Sequence, residues 1–287
     1  MPSLIDFRRR IRSVKNTQQI TKAMKMVSAA KLRRAQDRVI AARPYAKAIR
    51  ELLANLAAAA SADERSADSP WLAQREMKRA DLILLSSDTG LAGAFNSNLL
   101  KASQKFYEEH SGVEITLTLV GRKGRDFYRK RNATILSEHL HILNKPTHQD
   151  AAEIAKESIR RYKDGETDAV FIINNDFKSI MASLLSVAQL LPLTLDANAP
   201  VQTDYIYEQS PLDMLEALMP RYVEVAVFRA LLETVAAYQA ARMTAMDTAS
   251  SNAKDVIAAL TLHMNRVRQA AITKEIIEVV SGAAAAE

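Results

Sequence analysis

Cysteine is missing altogether from these 287 residues. Its absence excludes disulfides, thiolate metal sites and cysteine nucleophiles, and it suits a reducing compartment. Long apolar runs are missing too: no stretch of 18 apolar residues occurs, so no segment reads as a transmembrane helix. The opening Met1-Pro2-Ser3-Leu4-Ile5-Asp6 lacks the apolar core of a secretory signal, which predicts a chain that stays where it is made. Glycine is scarce and unevenly placed. Six of the seven (Gly90, Gly93, Gly112, Gly121, Gly124, Gly165) fall in the middle of the chain, and only Gly282 lies outside. Turns need glycine and long helices avoid it. The chain therefore reads as helix, turn-rich middle, helix, with the middle inserted into one structural unit formed by both ends.

The C-terminal part carries this furthest. Neither glycine nor proline interrupts Arg221 to Ser281, and an unbroken helix there would rise through roughly 90 Å. From Ala253 its apolar positions step through Ile257, Leu260, Met264, Val267 and Ala271, alternating four and three, which is a heptad seam. A helix of that length needs an apolar partner along it. The first sixty residues supply one. Ser3 can cap a helix whose apolar positions begin Leu4, Phe7, Ile11 and Val14. A polar patch, Asn16-Thr17-Gln18-Gln19, is expected to interrupt the seam. It resumes through Ile20, Met24 and Ser28 and continues from Leu32 through Ala35, Val39, Ala42, Ala46, Ile49 and Leu53 to Leu56. Taken that way, the step from Met24 through Ser28 to Leu32 is an inserted stutter. Pro44 is expected to kink or strain the helix.

Residues 1–60 hold 14 Lys and Arg against 3 Asp and Glu, a net of +11 in a chain whose total is +6. Such an excess fits a solvated helix face, a nucleic-acid stripe or an acidic protein partner. The nucleic-acid reading is disfavoured, because Phe7 is the only aromatic before Tyr45 that could stack a base.

Residues 61–79 form a polar linker, and then the pattern changes. Asp81 to Ser87, Val113 to Val120 and Asp168 to Asn175 read as buried strands. Helical stretches lie at Asn98–His110, Lys123–Arg131 and Asp150–Lys163. Strands alternating with helices imply βαβ units and a mostly parallel sheet. The glycine-free run Ser179–Leu193 reads as a further long strand.

An α/β sheet invites a nucleotide site. Ser86-Ser87-Asp88-Thr89-Gly90-Leu91-Ala92-Gly93 stands where a phosphate loop would, between strand and helix. It lacks the Lys-Ser/Thr of a P-loop and the third glycine of the dinucleotide motif, and Gly121-Arg122-Lys123-Gly124 is equally incomplete. A strand-to-helix turn is the better reading of both. Among the five histidines, His139 and His141 would share one strand face, but no third ligand lies near for zinc. No Gly-x-Ser-x-Gly elbow occurs. No cofactor and no catalytic residue is expected.

The C-terminal Ile272-Thr273-Lys274-Glu275-Ile276-Ile277-Glu278-Val279-Val280-Ser281-Gly282-Ala283-Ala284-Ala285 resembles the signature that closes the ATP synthase gamma subunits. The stretch Ile11 to Lys31 resembles that family's opening helix, and Ala241 to Met246 and Gln189 to Leu193 are further matches. The resemblance runs over essentially the whole chain. It implies an α/β protein in which the N- and C-terminal helices wind into a long antiparallel coiled coil, with an inserted Rossmann-like α/β domain. The expected divisions are 1–60 and 210–287 for the coiled-coil helices, 61–79 for the linker and 80–209 for the α/β foot.

It also implies a non-catalytic rotor shaft. The coil would stand inside a ring of alternating alpha and beta subunits, with its foot against an epsilon-type subunit and the membrane ring of c subunits. The setting would be the cytoplasmic face of the bacterial plasma membrane. By resemblance, Met24 and Lys25 meet the acidic lever loop of the catalytic subunits, with Lys22, Lys31 and Arg33 beside them. Arg268, Gln269, Thr273 and Glu275 form the upper contact with those subunits. Arg242 belongs to a polar network on the shaft. Tyr205, Tyr207 and Glu208 meet the polar loops of the rotor ring. Thr89 stands where the family commonly has a basic residue, so the resemblance does not carry a charge role over to that turn. The cysteine-bearing regulatory insert of chloroplast homologues is absent. The small, apolar end from Gly282 suits a bearing tip inside an apolar sleeve.

Overall fold

A computed structural model describes residues 3–60, 69–71, 75–180, 183–193 and 207–284. The chain forms two compact units, one made of Met1–Ser28 with Arg242–Glu287, the other of Ala29–Ala241. Two helices contribute to both: α1 (Leu4–Ala60) and α5 (Pro211–Ala284). None of the described helices is long and apolar enough to cross a membrane.

In the first unit the start of α1 and the end of α5 run antiparallel. The Phe7 ring lies 4.9 Å from that of His263. Further along, Gln18 donates to the Ser250 carbonyl at 3.4 Å and Lys25 pairs with Asp247 at 2.6 Å. Ser3 caps α1 reciprocally with Asp6, each side chain accepting from the other's backbone N–H. On α5 the expected seam is the covered stripe: Ala253 is buried, and Ile257, Leu260, Met264, Val267 and Ala271 are half-buried among exposed neighbours.

On α1 the outcome differs from expectation. Ile20 is 56% exposed, whereas Thr21 is only 8% exposed. Leu4, Phe7, Ile11, Val14, Gln18, Thr21, Lys25 and Ser28 are covered and alternate three and four without a break, with Met24 and Ala29 half-buried beside them. There is no stutter. The polar Gln18, Thr21 and Lys25 hold the phase where apolar residues are lacking. The same phase continues in the second unit through Leu32, Ala35, Val39, Ala42, Ala46, Ile49, Leu53 and Leu56. Nor does Pro44 end the helix. It sits with Ile40 on the exposed face, where water can meet the carbonyl that Pro44 leaves without a donor. Helix α5 likewise runs through Pro220 and begins on Pro211, a first-turn position that needs no N–H partner.

The second unit is built on a sheet of order β3-β2-β1-β4-β5. Its strands are β1 (Arg79–Leu85), β2 (Glu114–Val120), β3 (Thr134–His139), β4 (Ala169–Phe177) and β5 (Ser183–Leu191). The first four in that order are parallel and β5 is antiparallel to β4. Helices α2 (Phe95–Glu109), α3 (Arg122–Tyr128) and α4 (His148–Lys163) join them. Strand β1 is buried on both faces, which is why it reads as a continuous apolar run. Ile83 and Leu85 join a core with Leu53 and Leu56 of α1, Ile154 and Tyr162 of α4, and Leu215, Val223 and Leu231 of α5. Leu82 and Leu84 join another with Leu99 and Phe106 of α2 and with Tyr128.

Strand β3 escaped the sequence reading because Thr134-Ile135-Leu136-Ser137-Glu138-His139 is a half-buried, mostly polar edge. His139 ends that strand, while His141 takes a left-handed backbone conformation beyond it, so the two do not share a strand face.

Candidate functional site

In a sheet of this topology the chain turns back to the opposite side of β1 when it enters β4. The crevice outside the carboxyl ends of β1 and β4 is where such sheets bind nucleotides. Here that crevice is closed from within. Beyond β1 the Ser87 N–H donates to Asn96 Oδ1 at 3.1 Å. Ser86 Oγ accepts from the Gly124 N–H at 2.7 Å, and the Lys123 N–H donates to the Ser87 carbonyl at 3.0 Å. These bonds tie the turn after β1 to the turn after β2 and to the start of α2 and use the N–H groups of Ser87, Lys123 and Gly124. Gly121 has φ of +87°, and a Cβ there would lie 2.0 Å from the Ser86 carbonyl oxygen, so this glycine serves the close approach of two turns.

Helix α5 fills what is left. The Tyr238 hydroxyl bonds with Thr89 Oγ1 and reaches the Gly90 carbonyl, and its ring stands edge-on to Phe95 at 5.6 Å. On the β4 side, Glu233 accepts from the Phe177 N–H at 3.0 Å and from Arg43 of α1 at 3.1 Å. The departure at Thr89 thus has a structural counterpart: a hydroxyl there bonds the hydroxyl of a helix. Sequence reasoning missed Glu233 and Tyr238. A signal existed for the first, since Glu233 is the one acid in the apolar run from Val225 to Tyr238. Among the described residues no cluster of His, Cys, Asp or Glu could hold a metal.

The expected partner-facing residues fall in three places. Met24 and Lys25 are half-buried on α1, and Lys25 is engaged with Asp247 in a pair left 41% and 60% exposed. Solvent screening makes that pair weak and easily shared with an acidic neighbour. Lys22, Lys31 and Arg33 are exposed around them. Arg268, Gln269, Thr273 and Glu275 are all exposed on α5, and the Thr273 hydroxyl donates back to the Gln269 carbonyl at 3.0 Å. Arg242 is half-buried 26 residues before Arg268. At about 1.5 Å per residue those two lie roughly 39 Å apart along the helix. Tyr207 packs on the core of the second unit just ahead of α5, and Glu208 beside it is exposed. Tyr205 lies outside the described residues.

The end of α5 is the most unusual surface. Leu4 is the first residue of α1 and the covered seam of α5 ends at Ala271. From Ile272 to Ser281 every residue is exposed, including Ile272, Ile276, Ile277, Val279 and Val280, the fourth of these at 72%. This single helical segment carries one broad apolar face without a partner in the chain, opposite Lys274, Glu275 and Glu278.

A family profile described as ATP synthase matches residues 3–286. The ATP synthase gamma chain of Solibacter usitatus (strain Ellin6076) is 58% identical over 288 residues, covering 100% of both chains. That of Geobacter sp. (strain M21) is 48% identical over 286 residues, with 98% of each covered. Among solved structures, the fold is similar to a chain of the Tetrahymena thermophila mitochondrial ATP synthase central stalk and c-ring. The TM-score is 0.62 at 24% identity, covering 80% of this chain and 99% of that one. It is also similar to a chain of the Euglena gracilis mitochondrial ATP synthase, with TM-score 0.70 at 18% identity, covering 98% and 94%. At those identities the structures bear on the fold; the full-length relatives carry the kinship.

Proposed function

Because this chain belongs to the ATP synthase gamma family, we propose that it is the turning shaft of its complex, coupling ion-driven rotation of a membrane ring to the conformational cycle of the alpha and beta subunits. It carries no active site of its own; its work is mechanical. A lopsided shaft presents a different face to each catalytic subunit in turn, and differential contact energy biases their open and closed states.

The observation that supports this most is the exposed apolar end of α5. In water such a segment is costly, and it becomes favourable only inside an apolar sleeve that other subunits provide. Arg268, Gln269, Thr273 and Glu275 supply polar contacts on the same segment, while Met24 and Lys25, with the basic face of α1, meet an acidic loop. The labour divides along the chain: residues 1–60 and 210–287 act on the catalytic collar, 80–209 engages an epsilon-type subunit and the c ring, and 61–79 links them. Tyr205, Tyr207 and Glu208 belong to the ring-facing part, and Arg242 to a polar network lower on the shaft. The complex works at the cytoplasmic face of a bacterial plasma membrane, with this chain attached peripherally.

Co-purification from native membranes tests the reading. Nucleotide-binding subunits should be recovered in stoichiometric excess over this chain, and equal amounts would overturn it. The purified chain alone should neither bind nor hydrolyse nucleotide, since Tyr238 of α5 sits on Thr89 and Gly90 beyond β1.

A further inference from the structure

Where β4 ends, beyond its last pairing with β1, three elements meet on one carboxylate. Glu233 of α5 is 5% exposed. Its Oε1 accepts from Arg43 Nε and Nη2 of α1, both at 3.1 Å. Its Oε2 accepts from the Phe177 N–H that closes β4, at 3.0 Å, and again from Arg43 Nη2 at 3.3 Å. The triangle closes when Arg43 Nη2 donates to the Phe177 carbonyl at 3.0 Å. On α5 the neighbours of Glu233 are Ala230, Leu232, Ala236 and Ala237, with Arg229 one turn earlier lining the same groove, and the Arg43 side chain is 50% exposed.

The core that Ile83 and Leu85 share with Leu53, Leu56 and Leu231 joins sheet and helices by interdigitated packing, and the hydrophobic effect behind it carries no direction of its own. A planar guanidinium forked onto a carboxylate fixes both distance and angle. Burial sharpens this, because a carboxylate shut away from water cannot give up its donors cheaply. Resting on the stalk reading above, we infer that Glu233 is the point at which turning force crosses between the α/β sheet and the helix pair. Loosening it uncouples ion movement from ATP turnover while leaving each process running. Arg43 and Phe177 are its positioning partners. Tyr238 on Thr89 and Gly90 is a further contact of α5 with the sheet, beyond β1.

The test uses the whole ATP synthase in sealed vesicles, depleted of its gamma chain and refilled with this one. ATP hydrolysis and ATP-driven ion uptake, followed by a potential-sensitive dye, are read together. Glu233→Ala should keep hydrolysis near the unaltered rate while uptake per ATP falls by about threefold or more. Glu233→Gln, which preserves shape, and Arg43→Lys, which preserves charge but loses the fork, should each uncouple part-way. Leu231→Ala loosens the neighbouring packing, so it should lower the unfolding temperature yet leave uptake per ATP unchanged. The inference is overturned if Glu233→Ala and Arg43→Lys couple as well as the unaltered chain, or if Leu231→Ala uncouples as much as Glu233→Ala. A refilled complex that fails to pump even with the unaltered chain would instead sink the stalk reading.

Discussion

Asp168 shows how one side chain can hold a strand edge in place. Its Oδ2 accepts from the backbone N–H of Lys78 at 3.1 Å and of Arg79 at 2.9 Å, and its Oδ1 meets the Arg79 guanidinium at 3.3 Å. Burial pushes this carboxyl up, but the two backbone donors and the guanidinium more than cancel that, leaving it below the ordinary 3.8. Asp168→Ala strands two N–H groups and should destabilise the chain by about 1–3 kcal/mol at neutral pH, read by urea denaturation. Because the folded carboxyl titrates below its unfolded value, the stabilisation is complete above 3.8 and is lost as pH falls through the lower folded value. The gap between variant and unaltered chain should therefore narrow in acid; a constant gap would remove the carboxylate from the explanation. Gly121 offers a steric counterpart. Its φ of +87° and the backbone oxygen at 2.0 Å leave no flexible group to yield, so Gly121→Ala should cost roughly 2–4 kcal/mol. Gly112→Ala, with nothing within 4 Å of the new Cβ, is the control that should stay close to the unaltered stability.

At the scale of elements, the seam of α1 carries the lesson. Heptad spacing is geometry and does not ask whether a residue is apolar. Thr21 occupies its seam position with the hydroxyl turned back to the Gln18 carbonyl at 3.0 Å, which satisfies the donor inside the helix. Thr21→Arg should lower stability by about 1–3 kcal/mol, whereas Ile20→Arg one residue earlier should stay within about 0.5 kcal/mol. Equal effects of the two substitutions in thermal unfolding would contradict the register. The α4 start was legible in outline but two residues late: Thr147 accepts from the Asp150 N–H while Asp150 accepts from the Thr147 N–H, a capping box that places the first turn at His148. Strand β3 was not legible, since an edge strand facing water on one side needs no apolar run.

For the whole molecule, stability and function part company at the end of α5. Every described side chain from Ile272 to Ser281 is exposed, so deleting residues 272–287 should leave the unfolding midpoint of the isolated chain unchanged while weakening its retention by the catalytic subunits. Differential scanning calorimetry with co-purification separates the two, and a large fall in midpoint would show that the segment packs at home. The division into long glycine-poor ends and a turn-rich middle was decided by composition, because backbone freedom is a local property that each residue carries with it. Helix length, the C-terminal heptad and the parallel strands followed from periodicity for the same reason. What no local pattern contained was the meeting of residues distant in the chain. Arg43 with Glu233, Thr89 with Tyr238, and Gln18 with Ser250 come together only when separate elements are packed, and that packing turned a nucleotide-shaped crevice into a junction between sheet and helix.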